Sequence, residues 1–504
     1  MVEKFFWADQ IADRIIKERG RKKVYVCASG ITPSGTIHIG NFREVITTDL
    51  VVRALRDKGK KVRFIYSWDD FDRFRKVPVN VNKNFEKYLG MPVSDVPSPF
   101  GNGSYAEYFE KQFEISLKKV GIEPEFIRQA IMNKKCKYTK LVKKALDNVD
   151  IIKKILNEYR KEPLAKEWLP ITVYCEKCKK DFTKILNVDG YEIEYSCTCG
   201  HKDKFDFRKK GLVGMKWRID WPARWSYEKV DFEPGGIDHS VLGGSFMTGK
   251  EIVKKVFDYK APMYQMYDWV RIKGGKEFSS SSGNALGVDD VLEVYEPEVL
   301  RFLFVGTRPK KGFQISFDND VIKLYEDFDA LERKYYDGSA NLQEKRMYEM
   351  CLVRRSAYPK VQRSGAKKPE RVGFRSLITL VQLNKISELN KDSKIRAEKV
   401  ANWIEKYAGE DMRFKVQEKV KIKLSGKDRE AMLELKKSLE RQNYTEGELF
   451  DEFYSICEKV GIKNTDFFRN AYLIIIGKEK GPRLASLILE VGKEKVIELL
   501  EQVK

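Results

Sequence analysis

Residues 23–30 (KVYVCASG) run through β-branched and aromatic side chains to a glycine, the pattern of a buried strand. A turn follows. Thr32, Pro33, Ser34 and Gly35 supply it, and from Asn41 the apolar positions Val45, Leu50, Val52 and Leu55 recur on one helical face until Gly59 stops the run. Residues 62–67 (VRFIYS) read as the next strand. Strand, helix and strand within residues 23–67 predict a parallel βαβ unit, whose ligand sites lie at the carboxyl ends of the strands.

Ahead of this unit, Trp7, Ile11 and Ile15 stand four apart among mixed charges and predict an amphipathic helix. Residues 91–101 are rich in Pro, Ser and Gly and read as a loop, after which Ser104 and Glu107 offer a capping box for a helix reaching Val120. An insertion of charged helical sequence then runs to Arg160 and into a cysteine cluster. Residues 213–219 return to strand-like patterning, as if a second βαβ half resumes. From about residue 290 the pattern is mainly helical. A basic stretch between Arg354 and Arg375 interrupts it, with Arg355, Lys360, Arg363, Lys367, Lys368 and Arg371 against Glu370. Apolar stripes such as Ala471, Leu473, Ile475 and Ile476 predict an independent helical domain at the carboxyl end.

Composition narrows the class. A chain of 504 residues exceeds one ordinary core and predicts three or four domains. With 42% hydrophobic and 34% charged residues it has the surface to fold. Its net charge of +21 favours a polyanionic partner, with nucleic acid first. No apolar run approaches the ~20 residues that span a bilayer, and the amino terminus does not read as a secretory signal. The expectation is a cytosolic protein without a membrane partner. Eight cysteines are dilute for this length, and four fall between Cys175 and Cys199, which suits a metal site in a reducing compartment.

Three constellations carry chemistry. Residues 33–41 (PSGTIHIGN) lie between a strand and a helix amino terminus, where unpaired N–H groups attract an anion; Gly40 allows close approach, and His38 and Asn41 can donate to phosphate oxygens. Residues 274–284 (GGKEFSSSSGN) set Ser279, Ser280, Ser281 and Ser282 between glycines, with Lys276 and Lys273 as cations, a composition able to wrap a triphosphate. Cys175-x2-Cys178 is followed after 18 residues by Cys197, Cys199 and His201, the two-knuckle spacing of tetrahedral zinc. Its place in the insertion, away from both other motifs, predicts a structural ion. Whether Cys199 or His201 completes the set stays open.

Together the first two motifs resemble the HIGH and KMSKS signatures of class I aminoacyl-tRNA synthetases. With residues 28–35 (ASGITPSG), 41–44 (NFRE), 67–78 (SWDDFDRFRKVP), 220–225 (DWPARW) and 481–485 (GPRLA), the chain resembles the class I lysyl-tRNA synthetases over nearly its whole length. Glu277 and Phe278 stand where that family has Lys-Met, and Ser282 replaces a second lysine.

The resemblance implies an α/β fold. Residues 1–90 would form the first half of a Rossmann-type catalytic domain, and 91–212 an inserted connective and acceptor-binding region with a zinc ribbon at 171–207. The second half, 213–288, would carry the serine-rich ATP loop; a stem-contact helical region, 289–345, and a mainly α-helical anticodon-binding domain, 346–504, would follow. It implies lysine–tRNA ligation, using ATP with Mg2+, in protein synthesis, with L-lysine and tRNA(Lys) as partners. The ATP site would use His38, Gly40, Asn41, Lys276 and Ser279–Ser282; the lysine pocket, Gly30, Thr32, Trp221, His239 and Tyr267. Acids in Trp68-Asp69-Asp70 are further candidates for an ammonium partner. For zinc, the family spacing favours Cys175, Cys178, Cys197 and His201, with Cys199 as the alternative. Other readings are a glutamyl-type class I enzyme and a non-catalytic zinc-bearing tRNA-binding paralogue.

Overall fold

The computed structural model describes residues 6–79, 81–274, 286–353 and 368–503. The chain forms two compact units: Met1–Leu292 with Leu300–Ile315 and Ala340–Arg363, and Glu293–Val299 with Ser316–Ser339 and Ser364–Lys504.

In the first unit the predicted βαβ pattern is realised. Strand β1 (Tyr25–Ile31) leads through helix α2 (Ile39–Asp57) to β2 (Val62–Trp68), and the chain then reaches β3 (Glu125–Arg128). The insertion holds β4 (Ile171–Val173), β5 (Thr183–Asp189), β6 (Glu192–Cys197), β7 (Lys202–Asp206) and β8 (Val213–Met215). Two strands, β9 (Phe232–Gly236) and β10 (Met263–Tyr267), complete the main sheet. Its order is β10-β9-β1-β2-β3, parallel throughout. The chain builds outward from β1 on one side, then returns after the insertion to build on the other. The boundary between β1 and β9 is therefore the topological switch point, where an open parallel sheet leaves a crevice for ligands.

Helix α1 (Trp7–Arg19) packs on α2, so α2 is covered by the sheet on one side and a helix on the other. That is why fourteen of its residues are buried, Arg43 and Arg53 among them. Asp49 accepts ion pairs from Arg53 at 2.7 Å and from Arg301 at 2.8 Å, while Arg43 donates to the carbonyls of Arg308, Pro309 and Lys311. The capping box expected at Ser104 and Glu107 forms at the start of α3 (Tyr105–Lys119), with reciprocal bonds of 3.1 and 2.9 Å.

Residues 213–219 depart from the expected strand. Only β8 is extended, and it pairs antiparallel with β4 inside the insertion; the chain then turns helical over Trp217–Glu228. The physical reason lies in Trp217, Trp221 and Trp225, which recur every four residues and bring three indoles to one helical face. Trp225 joins Val26, Ile65, Ile127 and Ile252 in the core beneath the sheet. The second half of the sheet thus begins at β9.

In the second unit, helices pack around a core that includes Leu435, Phe453, Phe467, Ala471, Ile474 and Leu487. The stripe expected there keeps Ala471, Ile475 and Ile476 but takes Ile474 in place of half-buried Leu473. Phe467 is fully buried, as core packing requires. Of the basic stretch, residues 354–367 lie outside the described residues. Its described cations serve the unit itself: Arg371 pairs with Glu296 and Glu332, and Arg375 with Glu326.

Candidate active site

A cavity of about 600 Å³ opens at the carboxyl ends of the sheet strands. Gly30, Ile31 and Thr32 bring it the end of β1, Asn41 and Glu44 the first turns of α2, Asp238 and His239 the turn after β9, and Tyr267 the end of β10. Gly30 is required. A Cβ at this position would lie 2.5 Å from the Ser67 carbonyl oxygen on the neighbouring strand. The close approach aims the Gly30 N–H at Glu44 Oε1, 3.0 Å away. Tyr267 donates its hydroxyl to Glu44 Oε2 at 2.9 Å. Burial pushes the Glu44 carboxyl up to about 8, Glu233 and Asp69 add repulsion, and the two donors oppose the shift.

The opposite wall is acidic as well. Asp69 receives Arg224 Nη1 at 2.5 Å, and Asp72 accepts the Thr32 hydroxyl at 2.8 Å. Asp70 turns away and accepts the Ala130 N–H at 2.7 Å, at the head of the helix Gln129–Lys134. Of the Trp68-Asp69-Asp70 acids, only Asp69 lines the cavity.

Gly30, Thr32, His239 and Tyr267 therefore share one cavity. Trp221 does not line it. Its indole N–H donates to buried Glu233 at 3.0 Å, Trp225 donates to the other Glu233 oxygen at 2.6 Å, and Trp217 stacks on it at 5.2 Å and 12°. Trp217 and Trp269 are the indoles on the cavity wall. His239 lies 5.6 Å from Trp221 with the rings tilted by 54°, and burial lowers its pKa.

His38 caps α2, and its N–H donates to Asn41 Oδ1 at 3.3 Å. Burial lowers the His38 imidazole to about 4, so it is neutral at pH 7. Lys276, Glu277, Phe278 and Ser279, Ser280, Ser281 and Ser282 lie outside the described residues. The chain just beyond them is anchored to the first motif: Ile39 N–H donates to the Leu286 carbonyl at 2.9 Å, and His38 bridges Gly287.

The sequence family described as tRNA synthetases class I (K) matches residues 5–354, and an anticodon binding domain matches residues 375–504. The chain is 44% identical to the lysine–tRNA ligase of Borreliella burgdorferi, covering 96% of this chain and 97% of that one. Identity is 41% to the lysine–tRNA ligase of Pyrococcus horikoshii, over 98% and 99%, and 41% to that of Treponema pallidum, over 98% and 98%. The chain belongs to the class I (K) tRNA synthetases. The solved structure of a glutamate–tRNA ligase from Elizabethkingia meningosepticum overlays on it with a TM-score of 0.46 at 12% identity, over 95% of this chain and 98% of that one.

In the synthetase's insertion, the side chains that could hold a metal assemble differently from the family spacing. The thiols of Cys175, Cys178, Cys197 and Cys199 lie within 4.8 Å of one another, whereas His201 groups with Glu176 and Asp203. The second knuckle explains the choice. Gly200, at φ 85°, turns the chain back so that its N–H reaches the Cys197 carbonyl at 3.0 Å, which brings the exposed Cys199 thiol beside the other three while His201 groups elsewhere. Sulfur separations of 3.5 and 3.8 Å match the edge of about 3.8 Å that Zn–S bonds of about 2.3 Å set in a tetrahedron, and exceed any disulfide. Four thiols at this spacing fit zinc.

Glu44, Asp72, Trp217 and Glu233 were not singled out as site residues in the sequence. For Glu44 a signal existed, because it stands three positions after Asn41 and so shares its helical face. Asp72 stood within the family-like run 67–78, whereas Trp217 and Glu233 had none, since only the fold brings the tryptophan helix and β9 to the site. Among the described residues, no helix is long and apolar enough to cross a membrane.

Proposed function

We propose that the synthetase condenses L-lysine with ATP, taken as its Mg2+ complex, to lysyl-adenylate and pyrophosphate, then passes the lysyl group to the terminal ribose of tRNA(Lys) in the cytoplasm. Glu44 carries the choice of amino acid. A carboxylate held by two donors at the inner end of the cavity repels the side chain of glutamate and attracts an ammonium; ionised, it would accept the lysine ε-ammonium beside Tyr267. The four-carbon stem would lie along Trp217 and His239, and the α-ammonium would face Asp69 and Asp72. Arg224, bound to Asp69 and Asp220, is already consumed and offers nothing to an acidic substrate.

This arrangement leaves the lysine carboxylate toward the start of α2. Its oxygen bonds to the α-phosphorus as pyrophosphate departs, with no protein nucleophile. Positioning and charge stabilisation carry the step. The α2 amino terminus and Asn41 would receive phosphate oxygens, and neutral His38 would supply one N–H and no net charge. Positive charge on pyrophosphate would then fall to Lys276, with the hydroxyls of Ser279–Ser282. Cys175, Cys178, Cys197 and Cys199 would hold Zn2+, an ion whose part is to fold the ribbon.

The test is lysine-dependent ATP–pyrophosphate exchange, run over a panel of amino acids with and without tRNA. Exchange with lysine in the presence of tRNA is expected. Exchange with glutamate alone, or with no amino acid, defeats the reading.

A further inference from the structure

Behind the acidic wall lies a buried cation. Arg224, on the helix Trp217–Glu228, is 7% exposed. Its Nη1 donates to Asp69 Oδ1 at 2.5 Å and to Ser67 Oγ at 2.6 Å, its Nη2 reaches Asp69 Oδ2 at 3.3 Å, and its Nε pairs with Asp220 at 3.0 Å. The guanidinium carbon also lies 5.7 Å from the centre of the Trp217 ring. One side chain therefore grips two groups that line the large cavity, Asp69 and Trp217. Enclosing a charge is expensive, and an apolar side chain of similar size would fill the space at less cost.

The partners show what the charge does. Asp69, Asp72, Asp181 and Asp220 line an adjoining cavity of about 280 Å³, so carboxylates crowd this side of the sheet. Burial, then repulsion from Asp69, pushes Asp72 up to about 6, and burial pushes Asp220 up to about 7, although Arg224 opposes both shifts. Asp69 is held at both oxygens. Its N–H donates to the Ile31 carbonyl at 3.0 Å, and the Ser67 hydroxyl donates to Oδ1 at 3.0 Å. Ser67 Oγ accepts in turn from Gln129 Nε2 at 2.7 Å, which fixes the hydroxyl from the other side. Each carboxylate oxygen offers about two acceptor positions; Oδ1 receives Arg224 and Ser67, Oδ2 receives Arg224, and one position on Oδ2 is left for the cavity.

We infer that Arg224 is a positioning residue for amino-acid selection: it fixes Asp69 so that the remaining acceptor of its carboxylate meets the α-ammonium of lysine, and it steadies Trp217 against the stem. The assignment rests on the lysine–tRNA ligase reading and deepens it, because it makes the pocket read the α-ammonium as strictly as Glu44 reads the ε-ammonium. A lysine at position 224 would keep the charge and lose the planar fork, holding one Asp69 oxygen and releasing the other.

The experiment compares L-lysine with 6-aminohexanoate, which keeps the carboxylate and the ε-ammonium and lacks the α-ammonium, in ATP–pyrophosphate exchange by the full-length enzyme with tRNA. In the parent, 6-aminohexanoate competes with lysine and binds at least about tenfold more weakly. Arg224→Lys raises KM for lysine at least about tenfold and moves the inhibition constant of 6-aminohexanoate by less than about twofold, so the gap between the two ligands closes. A variant that merely loosened the fold would weaken both alike. Where Arg224→Lys misfolds, Ser67→Ala, which removes one hydroxyl bound to both Asp69 and Arg224, shows the same split at about threefold. Equal weakening of both ligands, or no change in either, overturns the positioning role. A parent enzyme that binds 6-aminohexanoate as tightly as lysine overturns it too, by taking the α-ammonium away from Asp69. Failure of the parent to exchange with lysine overturns instead the reading on which the assignment stands.

Discussion

Glu44 enters the reaction in the wrong protonation state for its work. In the free protein burial holds it near 8, so at neutral pH most molecules carry it protonated, whereas an ε-ammonium needs the carboxylate. Lysine binding at pH 7 therefore expels a proton. KM for lysine should fall as pH rises from about 6.5 through about 8, until lysine's own ammonium groups begin to lose their protons. Folding carries the opposite sign: a carboxyl raised on folding favours the native state at low pH, and that contribution shrinks as pH rises from the ordinary carboxylate range to about 8. Glu44→Gln should remove the pH dependence and raise KM for lysine at least about thirtyfold, the cost of losing one partner of an enclosed charge pair. Exchange kinetics across pH measure both. An unchanged KM in Glu44→Gln would show that the ammonium lies elsewhere.

Among the elements, those governed by local rules were legible in sequence. The capping box of α3, the first strand and the helix that follows it needed only neighbouring residues. The segment 213–219 did not obey that logic, because its extended start and its helical tryptophan spacing overlap, and pairing with β4 settles which residues go where. Trp221 is a related case. Its motif suggested a pocket wall, yet Glu233 draws the indole inward and leaves that role to Trp217 one turn earlier. The second cysteine knuckle likewise turned on one glycine. Metal content provides the test: Cys199→Ser should lose zinc and lower the thermal midpoint, whereas His201→Ala should keep its stoichiometric ion. The reverse result would restore the histidine as ligand.

At the scale of the whole molecule, the parallel order of the sheet was expected from its first three elements, and the switch point put the site where the strands end. The partition into units was harder to see. Segments 293–299 and 316–339 belong with the helical unit although the chain between them returns to the first, and nothing in local pattern announces such a crossing. The excess of positive charge has its own signature. Affinity for tRNA should fall linearly in log–log form as salt rises, with the slope counting phosphates neutralised. A flat salt response in filter binding would mean that the basic surface faces something else.

One register pair bears on how the protein is made. Cys27 of β1 finds its neighbour at Phe232 of β9, 205 positions later. A ribosome adding ~5–20 residues per second takes roughly 10–40 s to cover that stretch. For this interval the nascent polypeptide carries β1 with one edge unsatisfied, ready to stick to any extended strand it meets. Chains released before β9 is synthesised should aggregate, and those released just after it should remain dispersed, an outcome that sedimentation of truncated products reads directly.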